Sequence, residues 1–484
     1  MAGVSVVTAP GSAAAEPPSA PVHDAEGWWL REAGPVAPRP PLAGDRAVDV
    51  LVVGGGFTGL WTAWWLLEHA PGLDVGLLEA GRCGHGPTGR NGGFVNAYWY
   101  AAGNLLERYG REGARAVTAA GAEIVPGIGS WCAEHGADAW FRPSGHLVVS
   151  AAPAQDGAWD ASVAACRVLD AADEYVPVSA DAVRARCASP VFRGGAFMRA
   201  GATVQPARLA LALRTALLER GMTLWEDSPV RRLEDGPGGV VASTPSGRVR
   251  ARTAVLATGP GAVGARPLGR RLTVASSHIV LTEPVPDVIE AIGWTGGEAI
   301  SDARAYLHYF RTTEDGRIAF GWAGGRMAFG ARTHGHVEVD PAVAGRARAH
   351  LVRMFPALEG RRIEHAWGGP IDVSPSHLPF FGTAPGGGVH YGVGYTGNGV
   401  GPTWLGGRVL AGLALDRRDA WTALPLVEPA ATLVPPEPFR WVGGQLIRRA
   451  VLRKEAREER GQGVGPATRF VADLPRRFGV HVGR

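Results

Sequence analysis

An α/β fold, with a parallel sheet at its start and a second domain of different texture, is predicted by three observations. A complete βαβ unit reads without a gap from Val48 to Glu79. Further buried-strand runs at 223–226 and 253–257 follow an amphipathic helix pattern at 206–220. The chain also holds 70 glycines in 484 residues, about twice the roughly 7% usual in proteins, with no collagen period or low-complexity tract to absorb them. Those glycines belong at turns and close backbone approaches, and the length allows two or three domains.

Residues 1–45 are rich in Ala, Pro, Gly and Ser and read as a flexible arm, with Trp28 and Trp29 as its anchor points. Order begins at Val48-Asp-Val-Leu-Val-Val53, a β-branched run suited to a strand buried on both faces. It feeds Gly54-Gly-Gly-Phe-Thr-Gly59, a helix pattern over 60–69, and a second strand ending at Glu79. In this Rossmann-like G-x-G-x-x-G, Gly54 permits the tight turn, Gly56 lets a pyrophosphate reach the backbone, and Gly59 lets helix and strand pack closely. Glu79 is placed to accept from ribose hydroxyls and disfavours a 2′-phosphate. The stretch from Ala80 to Gly93 then holds six glycines in fourteen residues. A chain lying against a long, flat ring system needs such small residues, whereas a nicotinamide domain normally runs straight into another helix. Residues 106–195 read as mostly helical. The stretch 268–360 carries strand signals at 278–281 and 318–322, and a helix is expected over 403–415.

Val52-Val-Gly-Gly-Gly-Phe-Thr-Gly59, Glu79-Ala-Gly-Arg82 and Thr88-Gly-Arg-Asn-Gly-Gly93 resemble the N-terminal signature of the D-amino-acid oxidase superfamily of FAD enzymes, in its glycine oxidase, sarcosine oxidase and γ-glutamylputrescine oxidase branch. The likeness continues through Gln205-Pro206, Ala257-Thr-Gly259, Gly368-Gly-Pro-Ile-Asp372, Leu378-Pro-Phe-Phe-Gly382 and Gly392 to Gly401, and so spans about 48–430, weakest in the substrate domain. It implies a discontinuous, glutathione-reductase-type FAD domain from 46–105, 196–267 and 361–430. An α+β substrate domain with an antiparallel sheet would come from 106–195 and 268–360, leaving a basic tail at 431–484. The cofactor-binding residues it implies are Gly54, Gly56, Phe57, Thr58, Gly59, Glu79, Ala80, Arg82, Thr88, Gly89, Arg90, Asn91, Gly92, Gly93, Val230, Thr258, Gly259, Gly369, Gly394, Thr396, Gly397, Asn398, Gly399 and Val400.

The resemblance also implies chemistry. The enzyme would move hydride from the amine-bearing carbon of a small-molecule amine or amino acid to FAD, giving an imine that water hydrolyses to a carbonyl product. Backbone N–H groups of Thr396 to Gly399, aimed at the pyrimidine end of the flavin, would stabilise charge there. Where some relatives bind FAD covalently through a histidine, this chain aligns Arg90, so non-covalent FAD is expected, with His85 the minor candidate for attachment. Arg311 aligns with a carboxylate-binding arginine. His308, Tyr309 and Trp322 are the other substrate-binding candidates, and one or two of Trp99, Trp322, Trp367 and Trp404 are expected on the pocket wall. The catalytic residue stays open.

Composition narrows the rest. Of 49 basic residues only Lys454 is a lysine, which excludes a pyridoxal Schiff base or a Walker-A loop elsewhere in the chain, and denies this enzyme the oxygen-activating lysine of monomeric sarcosine oxidase. Oxygen is the expected acceptor, with a flavin dehydrogenase passing electrons to a partner protein or quinone as the alternative. The net charge of +4 implies no nucleic-acid partner. Residues 440–484 hold 11 basic and 4 acidic side chains, so +7 sits in the tail and −3 elsewhere. The tail reads as a solvated helix packed on the FAD domain, with contact to an anionic membrane as the alternative. Four cysteines without a CxxC pair, and no apolar run of membrane-spanning length, lead to an expectation of a cytoplasmic protein with reduced thiols and no metal site.

Overall fold

The computed structural model describes residues 21–480 apart from 24, 266, 267, 431 and 478, so the first twenty residues of the expected arm lie outside the described residues. Two sheets organise the chain. In the first, Arg46–Val53 lies between Val75–Leu78 and Gly247–Leu256, parallel to both. Thr223–Trp225 extends it beyond Val75–Leu78, and Val389–Val393 pairs in parallel with the end of Gly247–Leu256. Val50, Leu51, Val52 and Val53 are all buried, as their β-branched, uncharged run requires. Helices Phe57–His69, Pro206–Glu219 and Pro402–Ala414 complete this layer, each within three residues of its sequence-predicted start.

The second sheet is largely antiparallel. Thr273–Thr282 pairs with Ile318–Trp322 on one side and Ile363–Val373 on the other. His308–Thr312, Ala299–Asp302, His146–Ser150, Gly194–Met198 and Tyr175–Val178 follow in spatial order. Ile363–Val373 therefore belongs to this sheet by hydrogen bonding, although its sequence lies in the 361–430 stretch. The region 106–195 contains the helices Ala102–Ala122, Ile124–Glu134 and Asp160–Val168, but also the strands His146–Ser150 and Tyr175–Val178. Such short apolar runs do not separate strand from helix by periodicity.

Both ends of the described chain are tied down. Trp28–Ala33 is a short helix whose two tryptophans are buried in a cluster with Leu281, Ala207 and Trp367, and Gln205 Nε2 donates to Trp29 O at 2.7 Å. The helix Phe439–Glu458 packs on loops of the antiparallel sheet, not on the parallel layer as expected. Burial explains the choice: Glu455 needs donors, and the N–H groups of Ala305 (2.8 Å) and Tyr306 (3.3 Å) supply them. Arg448 Nη2 donates to Gly324 O at 2.6 Å, and Glu459 pairs with Arg304 and Arg353. Lys454 lies on this helix beside Glu458, 3.8 Å away. Among the described residues no helix is long and apolar enough to cross a membrane, and the four cysteines are free and buried.

Candidate active site

The first crossover builds the site. Gly54 has φ +111° and sits where a Cβ would lie 2.5 Å from Ala257 O, so strand, turn and neighbouring strand meet only over a glycine. Gly56 caps the helix Phe57–His69 without a side-chain acceptor, which leaves first-turn N–H groups to an anion. Glu79 holds the turn, accepting from Gly55 N at 2.7 Å through one oxygen and from Gly81 N at 2.8 Å through the other. Burial raises its pKa against those bonds. Thr88 Oγ1 accepts from Phe57 N at 3.0 Å, while Asn91 donates to Thr88 O at 2.7 Å and accepts from Gly93 N at 2.7 Å, so the glycine-rich stretch is stapled back over the turn.

These elements open onto one cavity of ≈ 1200 Å³ that runs from the parallel sheet to the antiparallel one. Of the residues expected at the cofactor, Gly54, Gly56, Phe57, Thr58, Glu79, Ala80, Arg82, Thr88, Arg90, Asn91, Gly92, Val230, Thr258, Gly259, Gly369, Thr396, Gly397, Asn398, Gly399 and Val400 line it. Four others stand behind the wall. Gly59 and Gly93 are close-approach positions, where a Cβ would overlap the carbonyls of Gly54 and Val204. A Cβ on Gly89 would lie 2.5 Å from Gly84 O, and Gly394 N–H is committed to Asp372 Oδ2 at 2.6 Å. Within the loop expected to offer four amides, Thr396 N already donates to Asp372 O and Asn398 N to Tyr395 O, leaving Gly397 and Gly399 as the free donors. Thr396 itself is held at φ +53°, a strained position for a β-branched residue.

The substrate-binding candidates separate. Tyr309 lines the cavity; His308, one residue earlier on the strand, points the other way, with Nδ1 2.6 Å from Asp302 and Nε2 2.7 Å from His350. Burial lowers the pKa of His308 and takes that of His350 to about 3. Arg311 shares the Tyr309 face but is covered by the Gly93–Val204 crossing: its Nη1 donates to Val204 O at 2.5 Å and its guanidinium lies over Trp29. Burial lowers the guanidinium pKa to about 9. Trp322 is a core residue, and no tryptophan is found among the described residues of the cavity wall. Trp99, Trp322, Trp367 and Trp404 are all buried in the core packing instead. Arg90 is spent on Glu338 (2.8 Å) and Ala25 O (2.8 Å), while His85 is off the wall near Glu26.

Among the wall residues that escaped sequence reasoning are Ser277, Leu307 and Asp372. Ser277 comes from a strand whose pairing is set far along the chain, and Leu307 from the loop just before His308–Thr312. Asp372 is a buried carboxylate whose pKa burial raises to about 6, partly offset by the Gly394 amide. Its signal was present, an acid in the otherwise uncharged run Gly368-Gly-Pro-Ile-Asp372. Among the described residues no group of three His, Cys, Asp or Glu side chains is arranged to hold a metal.

The walls suit FAD. The cavity exceeds the roughly 300–1,000 Å³ of a drug-sized ligand site, and its glycine turn lies so close to the next strand that a Cβ at Gly54 would collide with Ala257 O. Arg82 Nη1 is buried beside it without a hydrogen-bond partner. Fold and site together define a dinucleotide-binding oxidoreductase of the flavin type. Residues 49–413 match the family model described as FAD dependent oxidoreductase (DAO), and the chain belongs to that family. The γ-glutamylputrescine oxidoreductase of Escherichia coli K12 is 30% identical over 413 residues, 82% of this chain and 91% of that protein. Glycine oxidase from Geobacillus kaustophilus superposes with TM-score 0.64 at 18% identity, covering 80% of this chain and 99% of its own. The L-amino acid deaminase of Proteus vulgaris, without its specific insertion, gives 0.65 at 16% identity, covering 84% and 99%.

Proposed function

We propose that this FAD-dependent oxidoreductase oxidises an amine or amino acid at the amine-bearing carbon, releasing an imine that water hydrolyses. When bound, FAD supplies the two-electron acceptor. One observation carries the reading: the cavity does not stop at the dinucleotide cradle but continues to Tyr309 and Ser277 of the antiparallel sheet. The 30% identity to a γ-glutamylputrescine oxidoreductase supports an amine as the substrate class.

The polarity of this end suits an amine. Ser277 Oγ donates to Trp322 O at 3.0 Å, so its 2.8 Å contact with Tyr309 must use the phenol proton. Tyr309 then presents only lone pairs to a ligand, and burial raises its pKa to about 12, keeping it neutral. A neutral amine has the N–H donors to meet it. Tyr309→Phe is therefore expected to raise KM for the best amine about 10-fold while kcat stays within about 2-fold, the pattern of lost uniform binding. A fall in kcat at constant KM would count against this role.

FAD is held without a covalent bond in this reading, since Arg90 is paired and His85 is off the wall. Acid precipitation of the purified protein should leave the yellow colour in the supernatant; a yellow pellet would overturn it. Oxygen is the proposed acceptor, checked by peroxide formation with an amine panel. The position of the one lysine, on the outer C-terminal helix, favours the second reading, a dehydrogenase that hands electrons to another acceptor.

A further inference from the structure

We propose that the outer face of the helix Phe439–Glu458 docks the protein on an anionic lipid surface. The inner face is spent on the antiparallel sheet through Arg448, Val451 and Glu455. On the outer face Phe439, Val442 and Leu446 are 71%, 48% and 55% exposed. Beside them Phe329, itself exposed, meets Trp441 ring to ring at 5.9 Å. Further along, Arg449, Arg453, Arg457 and Arg460 are exposed and, among the described residues, form no ion pair with a carboxylate, Arg457 Nε donating instead to Gly463 O at 2.7 Å. At 100° per residue, the helix positions 439, 442, 446, 449, 453 and 457 fall within an arc of about 80°, along a stripe roughly 27 Å long, with Arg460 in the turn that follows.

A straight stripe of that length matches a flat field of negative charge better than a concave pocket. Phenylalanine and leucine can enter the headgroup boundary while arginine stems lie along it and the guanidinium groups reach phosphate. Charge selects the occupant: residues 440–484 carry +7 and the remainder of the chain −3, so a second copy would bring two strongly positive tails together. The apolar end of the stripe lies beside the 329–334 segment, whose Thr333 and His334 border the cavity. Docking would thus hold the cavity entrance near the bilayer.

The test is flotation of the full-length, FAD-loaded protein with phosphatidylcholine vesicles and with vesicles of equal phosphatidylcholine and phosphatidylglycerol. At low salt, binding to the anionic vesicles should be at least about 10-fold greater and should be released by about 0.5 M NaCl. Two surface variants, Phe439→Ser with Leu446→Ser and Arg453→Glu with Arg457→Glu, should each lose about 10-fold or more of that binding, with flavin spectrum and melting unchanged. No binding to anionic vesicles at low salt overturns the proposal. So does binding that survives both variants, or a dimer in sedimentation that both variants break, which would assign the face to a second copy.

Discussion

Gly54→Val is expected to purify without yellow colour and to bind added FAD at least about 100-fold more weakly, a loss of about 2.7 kcal/mol. The backbone at φ +111° is open to glycine, and holding a branched residue there costs about 1–3 kcal/mol before any contact is considered. The Cβ would then meet Ala257 O at 2.5 Å. Neither partner can retreat freely, because Gly54 N donates to Leu78 O and Ala257 N to Val53 O, both at 2.8 Å. Relief must open the turn at the point where first-turn N–H groups are presented. Fluorescence titration of the variant with FAD measures the loss, and wild-type affinity would show that the turn is not the cofactor's cradle.

Arg214→Leu should destabilise the protein by about 3–5 kcal/mol, the usual cost of removing one partner of a buried ion pair, since the nearest cation then left to Glu226 is the half-exposed Arg82, 3.8 Å away. Glu226 is buried, accepts from Arg214 at 3.1 and 3.3 Å, and also takes the N–H groups of Arg39 at 2.7 Å and Cys83 at 2.9 Å. Burial pushes its carboxyl pKa up, but Arg214 and those amides outweigh burial, and the net direction is down. A depressed pKa contributes stability above the ordinary carboxylate range and loses it as pH falls through the folded value. The gap in melting temperature between wild type and variant should thus be widest near neutral pH and narrow on acidification. Adding Glu226→Gln to Arg214→Leu should recover at least about half of the loss, because the uncompensated charge is gone. A constant gap across pH, or no recovery, would assign the defect to lost packing.

The βα turn was legible because its requirements are local. Gly54, Gly56 and Gly59 lie within one turn, and Glu79 follows the next strand and accepts from Gly55 N, so spacing alone brings them together. The same holds for Thr396 to Val400, a loop directly before a helix with proline at its first position. The substrate end was less legible, because strand alternation gives two faces without saying what covers each. Tyr309 and Arg311 share a face, yet one borders the cavity and the other lies under a crossing made by Gly93 and Val204, more than a hundred residues away in sequence. Ser277 reaches the wall through pairing with Gly369, a register that no nearby residue sets. The tail helix misled for a related reason: Glu455 looked like one more solvated charge until Ala305 and Tyr306 brought their amides to it.

The isolation of Lys454 on the outer helix has a practical consequence. With one ε-amine in the chain, an amine-reactive dye places a single side-chain label, the α-amino group aside, at a known spot beside Glu458. A lysine-specific protease likewise has one bond to cut. It lies immediately before Glu455, so cleavage there would divide the docking stripe, leaving Phe439 to Arg453 on one fragment and Arg457 and Arg460 on the other, with the carboxylates that fasten the helix to the sheet.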